Sequence, residues 1–270
     1  MDSHQARFGV IGVGALATAI VTGLCAGMDE PPTIVLSPRN ADVAARLAAR
    51  FESVSVAADN QAVVDAAELV FVTLRSAHTD VLGDLAWRPG QVVVSAAGGL
   101  SLARLTELVA PASQVARAVP MPAVATRSSR TPVHPPLTPV LGVFEGLGGS
   151  MPIDDGDEFE AIFTAMGTVA PFFEYLRILS DFLVGHGLPS ADANQIVGGV
   201  FTGLLGQLAG HESPDFAELV KEHAPPGGGN EQLTHLMREA GVFEGMAGSV
   251  EEVHRRLTGA EVALRRPGRG

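Results

Sequence analysis

Two glycines and an alanine near the start of the chain have the spacing that nucleotide phosphates require. Gly12, Gly14 and Ala17 follow an apolar run, and small apolar residues continue to Cys25. The first glycine of such a pattern permits a tight turn, the second lets the backbone approach a pyrophosphate, and the small third residue lets a helix pack on the strand. The pattern therefore predicts a strand, a turn and a helix whose free amides bind a dinucleotide. The alternative is a buried strand and helix with glycines at the bend.

The residues after the second apolar run indicate which dinucleotide binds. Sites for NAD carry an acid at the end of this strand, where it contacts the ribose 2′-hydroxyl. This chain has no acid there and instead has Ser37, Arg39 and Asn40. An arginine can pair with a 2′-phosphate, and the two polar side chains can donate hydrogen bonds to it. We therefore expect NADPH as the cofactor, with an ordinary turn of turn-forming residues as the alternative.

The order of predicted elements divides the chain into two domains. Short apolar strands alternate with helices in the first part, which favours an α/β fold with an N-terminal Rossmann-type parallel sheet. Six prolines between positions 120 and 139 predict a loop or edge region, and one more helix and strand follow. Beyond residue 154 only helices are predicted. We place an NADP-binding Rossmann domain at 1–155 and an all-helical dimerisation and substrate domain at 156–270.

Composition excludes several classes of function for this chain of 270 residues. Its net charge of −12 argues against binding nucleic acid. It has no uninterrupted apolar run of about 18 residues, so we expect no membrane span. The single cysteine, Cys25, cannot form an internal disulfide, which suits a cytoplasmic protein. We expect it to be a buried small side chain, and no histidine, cysteine or acid spacing predicts a metal site.

Two features of the second half could act on a substrate. Three glycines precede a predicted helix that starts near Asn230, and backbone amides there could cradle a carboxylate. The alternative is a loop in which Asn230 caps the helix. Tyr175, the only tyrosine, could donate a proton to an imine or a carbonyl oxygen. The alternative is a packed tyrosine on an apolar helix face.

Ordered segments along nearly the whole chain resemble the Δ1-pyrroline-5-carboxylate reductase family. These segments are GVGALATAI, SPRN, DNQAVVDAAELVFVTL, VVVSAAGGLSLARL, VARAVP, APFFEYLRILSDFLVGHGLP and the PGG of residues 226–228. The resemblance implies an enzyme that uses NAD(P)H to reduce the C=N bond of a cyclic imino acid to give proline. It also implies a homodimer formed by the C-terminal helices, with the substrate site at the dimer interface.

The resemblance also implies roles for individual residues. The pyrophosphate would lie on Gly12, Gly14, Ala15 and Leu16, and the adenosine 2′-phosphate on Ser37, Arg39 and Asn40. The rest of the cofactor would be lined by Asn60, Thr73, Leu74, Arg75, Ala96 and Ala97. The substrate would lie on Pro226, Gly227, Gly228, Gly229 and Glu231.

The chain departs from the family pattern at the substrate loop. A threonine that is thought to donate a hydrogen bond to the imine nitrogen is replaced by Asn230, which can donate and accept. Glu231 then adds an acid beside a site for an anionic imino acid. After the fourth strand, the family's lysine-proline is replaced by Arg75 and Ser76.

We therefore expect an NADPH-dependent reductase of a C=N bond in a cyclic imine, with Asn230 and Tyr175 as its catalytic residues. Two alternatives stay open. One is a carbonyl reductase or dehydrogenase that acts on a related small molecule. The other is a non-catalytic NADP-binding dimer that kept the fold and lost the chemistry.

Overall fold

The computed structural model describes residues 7–208 and 213–259. The chain divides between Phe163 and Thr164 into two compact units. We call residues 7–163 the sheet unit, and residues 164–208 with 213–259 the helical unit. The domain boundary predicted at residue 155 falls just before helix α6 (Gly156–Met166), which crosses this division. The functional domain boundary between residues 155 and 156 stays a prediction.

The sheet unit is built on one eight-stranded sheet with the strand order β3-β2-β1-β4-β5-β6-β7-β8. Strands β1 to β6 pair in parallel, which is the order and direction of a Rossmann sheet. The predicted fold class is therefore confirmed. The strands are β1 (Arg7–Ile11), β2 (Thr33–Leu36), β3 (Val54–Val56), β4 (Leu69–Val72), β5 (Val92–Ser95), β6 (Gln114–Ala118), β7 (Thr131–His134) and β8 (Ser150–Pro152).

Helices connect these strands and cover both faces of the sheet. Two separate clusters of buried apolar side chains result, one on each face, because every residue of β4 and β5 is buried. Cys25 is buried at the end of α1, as predicted, and burial raises the pKa of its thiol. The helices are α1 (Ala15–Cys25), α2 (Ala41–Arg50), α3 (Asn60–Ala66), α4 (Leu102–Leu108) and α5 (Thr138–Glu145), with 3₁₀ helices at Ser76–Asp84 and Pro122–Thr126.

Strand β7 lies within the proline-rich region for which the sequence predicts a loop or edge. It pairs antiparallel with β6, placing His134 opposite Arg117 and Val133 opposite Ala118. Pro132 lacks an N–H, yet its carbonyl oxygen still accepts a hydrogen bond from the Val119 amide at 3.0 Å. A proline can therefore sit in this short strand, and the predicted loop is interrupted by it.

A buried ion pair fastens α6 to the sheet. Arg117, on β6, is 3% exposed and donates to the Glu160 carboxylate. Its guanidinium carbon also lies 4.8 Å from the ring centre of Phe159 and 5.5 Å from that of Phe163. Phe163 in turn packs on the turn after β5, where a Cβ placed on Gly98 would lie 3.2 Å from its ring. The start of α6 therefore supports the backbone that follows β5.

The helical unit contains no strand within its described residues, in agreement with the predicted all-helical second half. Helix α7 packs on α8, where the Ser180 hydroxyl donates to Asn194 Oδ1 at 2.7 Å. Apolar side chains on these helices face solvent in the single chain, with Phe173 62% and Phe182 61% exposed. The helices are α7 (Val169–Gly185), α8 (Ser190–Leu208), α9 (Phe216–His223), α10 (Gly229–Glu239) and α11 (Val242–Leu257).

Among the described helices, one stretch is long and apolar enough to cross a membrane by length and composition alone. It is Gly156–Gly185, with a mean hydropathy of 1.2, and it includes α6 and α7. Helices that bury an apolar face against protein can have the same composition, so this stretch is weak evidence of a span.

The close packing of α1 gives a stability prediction. A Cβ on Gly23 would lie 2.3 Å from the Val124 carbonyl oxygen, whereas a Cβ on Gly142 of α5 would meet nothing within 4 Å. We expect Gly23→Ala to lower the free energy of unfolding by about 1–3 kcal/mol through overpacking. Gly142→Ala is the matched control and should raise it by about 1 kcal/mol through helix propensity. Urea unfolding measures both, and equal stabilities of the two variants would contradict this packing.

Candidate cofactor site

The turn between β1 and α1 can be formed only with glycine at its first position. Gly12 has φ +96°, a backbone conformation that side chains disfavour. A Cβ there would lie 2.9 Å from Leu74 Cδ2 and 3.0 Å from the Leu74 amide nitrogen. The residues after β4 therefore press directly on the turn.

Side chains from the loops after β2 and β4 hold this turn through hydrogen bonds. The Gly12 amide donates to Ser37 Oγ at 3.0 Å, and Asn40 Nδ2 donates to the Val13 carbonyl oxygen at 2.9 Å. Thr73 Oγ1 donates to the Gly12 carbonyl oxygen. Ser37 is 1% exposed. The structure thus brings three predicted cofactor residues together around the turn and gives them a bracing role that the sequence reading missed. Contact of Ser37 and Asn40 with a 2′-phosphate, and of Thr73 with the rest of the cofactor, stays a prediction.

The start of α1 is open in the way that an anion site requires. Gly14 is the N-cap, no side chain caps the helix, and its first turn contains no acid. A Cβ on Gly14 would meet nothing within 4 Å. The first amides, at Ala15, Leu16 and Ala17, lie where the helix dipole favours negative charge. These features fit a pyrophosphate.

Basic side chains flank the turn on both sides. Arg39 follows β2 and Arg75 follows β4, and both are exposed. Arg39 Nη2 lies 3.5 Å from His78 Nε2, so the two loops meet at this point. The sequence reading did not single out His78. Its place three residues after Arg75, in a loop that follows a sheet strand, is the signal that could have found it.

The remaining predicted cofactor residues also lie in the sheet unit. Ala96 and Ala97 follow β5, where the Ala96 amide donates to the Val72 carbonyl oxygen at 2.9 Å and the Ala97 amide to Ser95 Oγ at 3.1 Å. Asn60 is the first residue of α3, after β3. Ligands of open parallel sheets bind outside the carboxyl ends of the strands. All thirteen predicted cofactor residues follow such ends: Gly12, Gly14, Ala15, Leu16, Ser37, Arg39, Asn40, Asn60, Thr73, Leu74, Arg75, Ala96 and Ala97.

The predicted substrate loop precedes α10 in the helical unit. Gly228 is the N-cap of this helix, so the alternative in which Asn230 caps it is wrong. Asn230 Nδ2 instead donates to the His223 carbonyl oxygen at 3.0 Å. The Gly227 amide donates to Glu231 Oε2 at 2.7 Å. The chain's own carboxylate therefore occupies one amide of the predicted carboxylate cradle.

Tyr175 and Asn230, the two predicted catalytic residues, have different neighbours. Tyr175 is on α7 and 37% exposed, and its ring centre lies 5.6 Å from that of Phe201 on α8 in an edge-to-face arrangement. No hydrogen bond joins Tyr175 to Asn230 in the described part of the chain. A groove of about 260 Å³ between α7 and α8 contains neither residue and is lined by Phe173, Leu176, Arg177, Ser180, Asn194, Val197 and Gly198.

Comparisons with known proteins show which proteins this chain is similar to. The family profile described as NADP oxidoreductase coenzyme F420-dependent matches residues 7–99. A protein of Danio rerio, pyrroline-5-carboxylate reductase 3, is 26% identical over 267 residues, which cover 94% of this chain and 91% of that protein. The chain is thus similar to pyrroline-5-carboxylate reductases over nearly its whole length. The resemblance read from the sequence is thus confirmed.

Solved structures of similar fold extend over both units. The 1-pyrroline-5-carboxylate reductase of Streptococcus pyogenes has a TM-score of 0.78 at 23% identity, covering 94% of this chain and 99% of that one. A reductive aminase from Aspergillus terreus, in complex with NADPH4, cyclohexanone and allyl amine, has a TM-score of 0.59 at 20% identity, covering 93% of this chain and 94% of that one. At these identities the two structures establish the fold.

The open space at Gly14 gives a prediction about binding that is separate from folding. Gly14→Ala should leave the unfolding midpoint unchanged, because its φ of −119° suits alanine and its Cβ meets nothing. The added methyl group should weaken NADPH binding about tenfold or more, because it stands where a pyrophosphate must approach the backbone. Gly90→Ala, also in open space, is the control and should change neither quantity. Unchanged NADPH affinity in Gly14→Ala, measured by calorimetry, would contradict this placement.

Proposed function

We propose that the chain is an NADPH-dependent reductase that reduces the C=N bond of a cyclic imine. The observation that carries the proposal is the braced, open glycine turn with Arg39 beside it, where NAD sites have an acid. The chain that carries this turn is similar to a pyrroline-5-carboxylate reductase over nearly its full length. An oxidoreductase that uses NAD(P)H follows from both.

The residues present fit the cofactor. Gly14 and the first amides of α1 would hold the pyrophosphate, Arg39 the 2′-phosphate, and the backbone at Ala96 and Ala97 the nicotinamide side. When bound, NADPH supplies a hydride. The protein then has to position the substrate carbon, keep the nitrogen hydrogen-bonded and exclude water.

A cyclic imine can be reduced without a strongly acidic side chain, and this favours it over a substrate that must be protonated by the protein. A cyclic imine nitrogen can arrive protonated from solution, so the site needs only a group that orients it. An asparagine amide has two N–H donors, and the His223 carbonyl accepts from Asn230 Nδ2. A protonated imine nitrogen can only donate, and we assign Asn230 Oδ1 as its acceptor. A neutral imine nitrogen has one lone pair, and we assign the second N–H of Asn230 as its hydrogen-bond donor and the Tyr175 hydroxyl as the group that can give it a proton.

The negative charge of Glu231 should disfavour a substrate that carries a carboxylate. Its carboxylate accepts from the Gly227 amide, where a substrate carboxylate would otherwise bind. Two negative charges about 4 Å apart repel by about 1 kcal/mol in water and more in a site of lower dielectric. We therefore expect the chain to favour a cyclic imine without a carboxylate over pyrroline-5-carboxylate.

The proposed function is tested by the loss of NADPH absorbance with a panel of substrates. The panel contains 1-pyrroline, pyrroline-5-carboxylate, a six-membered cyclic imine and the matching cyclic ketones. Turnover of an imine supports the proposal, and turnover of ketones alone would replace it with carbonyl reduction. Tight NADPH binding without turnover of any compound would favour a non-catalytic NADP-binding protein, in which Asn230 and Glu231 only close the loop.

Removing the Glu231 charge should change the substrate preference. We expect Glu231→Gln to raise kcat/KM for pyrroline-5-carboxylate about fivefold relative to 1-pyrroline, because it removes about 1 kcal/mol of repulsion. Glu244→Gln is a matched control, since Glu244 also lies in the first turn of a helix, α11. It should leave the ratio unchanged. An identical ratio in Glu231→Gln and the native protein would remove Glu231 from the substrate site.

We also propose a cytoplasmic homodimer formed through the helical unit. Apolar side chains spaced along α7 and α8 are exposed in the single chain, and a second copy would cover them. They are Phe172, Phe173, Ile178, Phe182, Ile196, Val200 and Leu205. Light scattering at micromolar concentration should give twice the mass of the chain, whereas a monomer mass would overturn the dimer.

A further inference from the structure

Arg39 and His78 meet although they come from different loops. Arg39 follows β2 and His78 lies in the 3₁₀ helix after β4, and these two strands flank β1 in the sheet. Arg39 Nη2 and His78 Nε2 are 3.5 Å apart, and both side chains are exposed. The pair therefore lies beside the glycine turn, which follows β1.

The two side chains offer different hydrogen-bonding groups to a ligand. A guanidinium group has donors and no acceptor, so Arg39 can only donate. An imidazole nitrogen accepts when it carries no proton and donates when it carries one. The pair therefore combines a fixed cation with a ring nitrogen that can become a second donor.

Neither side chain has an acid partner among the ion pairs of the described residues. Asp80, in the same 3₁₀ helix as His78, forms an ion pair with Arg104 of α4 at 3.1 Å, and Arg104 also pairs with Glu107 at 3.2 Å. Two basic groups that face each other at an exposed site, without an acid between them, fit an anion. The other charged groups along these loops are Arg75, Asp84 and Asp42, which begins α2.

We propose that Arg39 and His78 together bind the 2′-phosphate of NADPH, and that His78 takes up a proton when they do. The phosphate accepts a hydrogen bond from the Arg39 guanidinium, which then moves away from His78 Nε2. Beside a dianion the imidazolium is favoured, so Nε2 gains a proton from solvent and donates it to a phosphate oxygen. The one bond that forms is the N–H bond at Nε2, and its proton comes from solvent. The inference deepens the proposed function and rests on its use of NADPH.

A consequence follows for the choice between cofactors. NADH has a 2′-hydroxyl in place of the phosphate and offers no charge to favour the imidazolium. The preference for NADPH over NADH should therefore increase as the pH falls from 8.5 to 6.5, by about tenfold for one proton taken up. A site that binds the phosphate with Arg39 alone should keep a nearly constant preference over this range.

Calorimetry of the full chain with NADPH and NADH tests the inference. Titrations at pH 6.5, 7.5 and 8.5, in two buffers of different ionisation enthalpy, give both the Kd and the number of protons exchanged. We expect net proton uptake with NADPH and none with NADH. A bound phosphate next to cations releases protons near its second ionisation, about pH 6, so the sign of the exchange separates His78 from the ligand.

Variants assign the proton to its residue. His78→Gln should abolish the uptake and lower the NADPH affinity mainly at pH 6.5. Arg39→Ala should weaken NADPH binding at every pH, with little effect on NADH. His186→Gln, which removes an exposed histidine at the end of α7, is the control and should behave as the native protein.

The outcomes separate this inference from the proposed function. NADPH binding with a strong preference over NADH, but with the same proton exchange in His78→Gln, would overturn the inference and leave the reductase intact. Failure of the native protein to bind NADPH would overturn both.

Discussion

The cofactor site depends on one backbone constraint, the positive φ of Gly12 where the chain turns from β1 into α1. No side chain fits there, because the residues after β4 lie within 3 Å of the missing Cβ. The constraint places the amides of α1 at the carboxyl edge of the sheet. Ser37, Asn40 and Thr73 then hold the turn from both sides. Three residues that the sequence predicts to contact the cofactor therefore hydrogen-bond to the turn itself. The exposed side chains of Arg39 and Arg75 are left to contact an anion.

The helical unit contributes a loop whose polar groups are largely satisfied within the chain. The Glu231 carboxylate accepts a hydrogen bond from the Gly227 amide, and Asn230 Nδ2 donates to the His223 carbonyl oxygen. Side chains from the first turn of α10 thus bind the loop that precedes it. If the substrate binds at this loop as proposed, its carboxylate would have to displace Glu231 or bind next to it. A cyclic imine without a carboxylate does not need the Gly227 amide and so does not compete with Glu231 for it. In the proposed function, this difference in charge favours an imine without a carboxylate over pyrroline-5-carboxylate.

The sequence was sufficient for the fold class and for the glycine turn, because strand, turn and helix each leave a short local pattern. It was not sufficient where the structure depends on contacts between distant segments. Strand β7 contains Pro132 and was predicted as part of a loop or edge region, since its pairing with β6 is formed through a carbonyl that no local pattern shows. His78 became visible only when two loops met. The alternative in which Asn230 caps α10 was wrong, because a good capping residue two positions after the N-cap gives the same signal as one at the N-cap itself.

The central claim is that this chain transfers a hydride from NADPH to the carbon of a cyclic imine. The most direct measurement uses NADPH deuterated at C4 of the nicotinamide, with 1-pyrroline as substrate, and mass spectrometry of the amine product. The account predicts one deuterium on the carbon of the former C=N bond when the label is on the transferred face, and none when it is on the opposite face. Amine without deuterium from either label, or no amine at all across the imine panel, would contradict it.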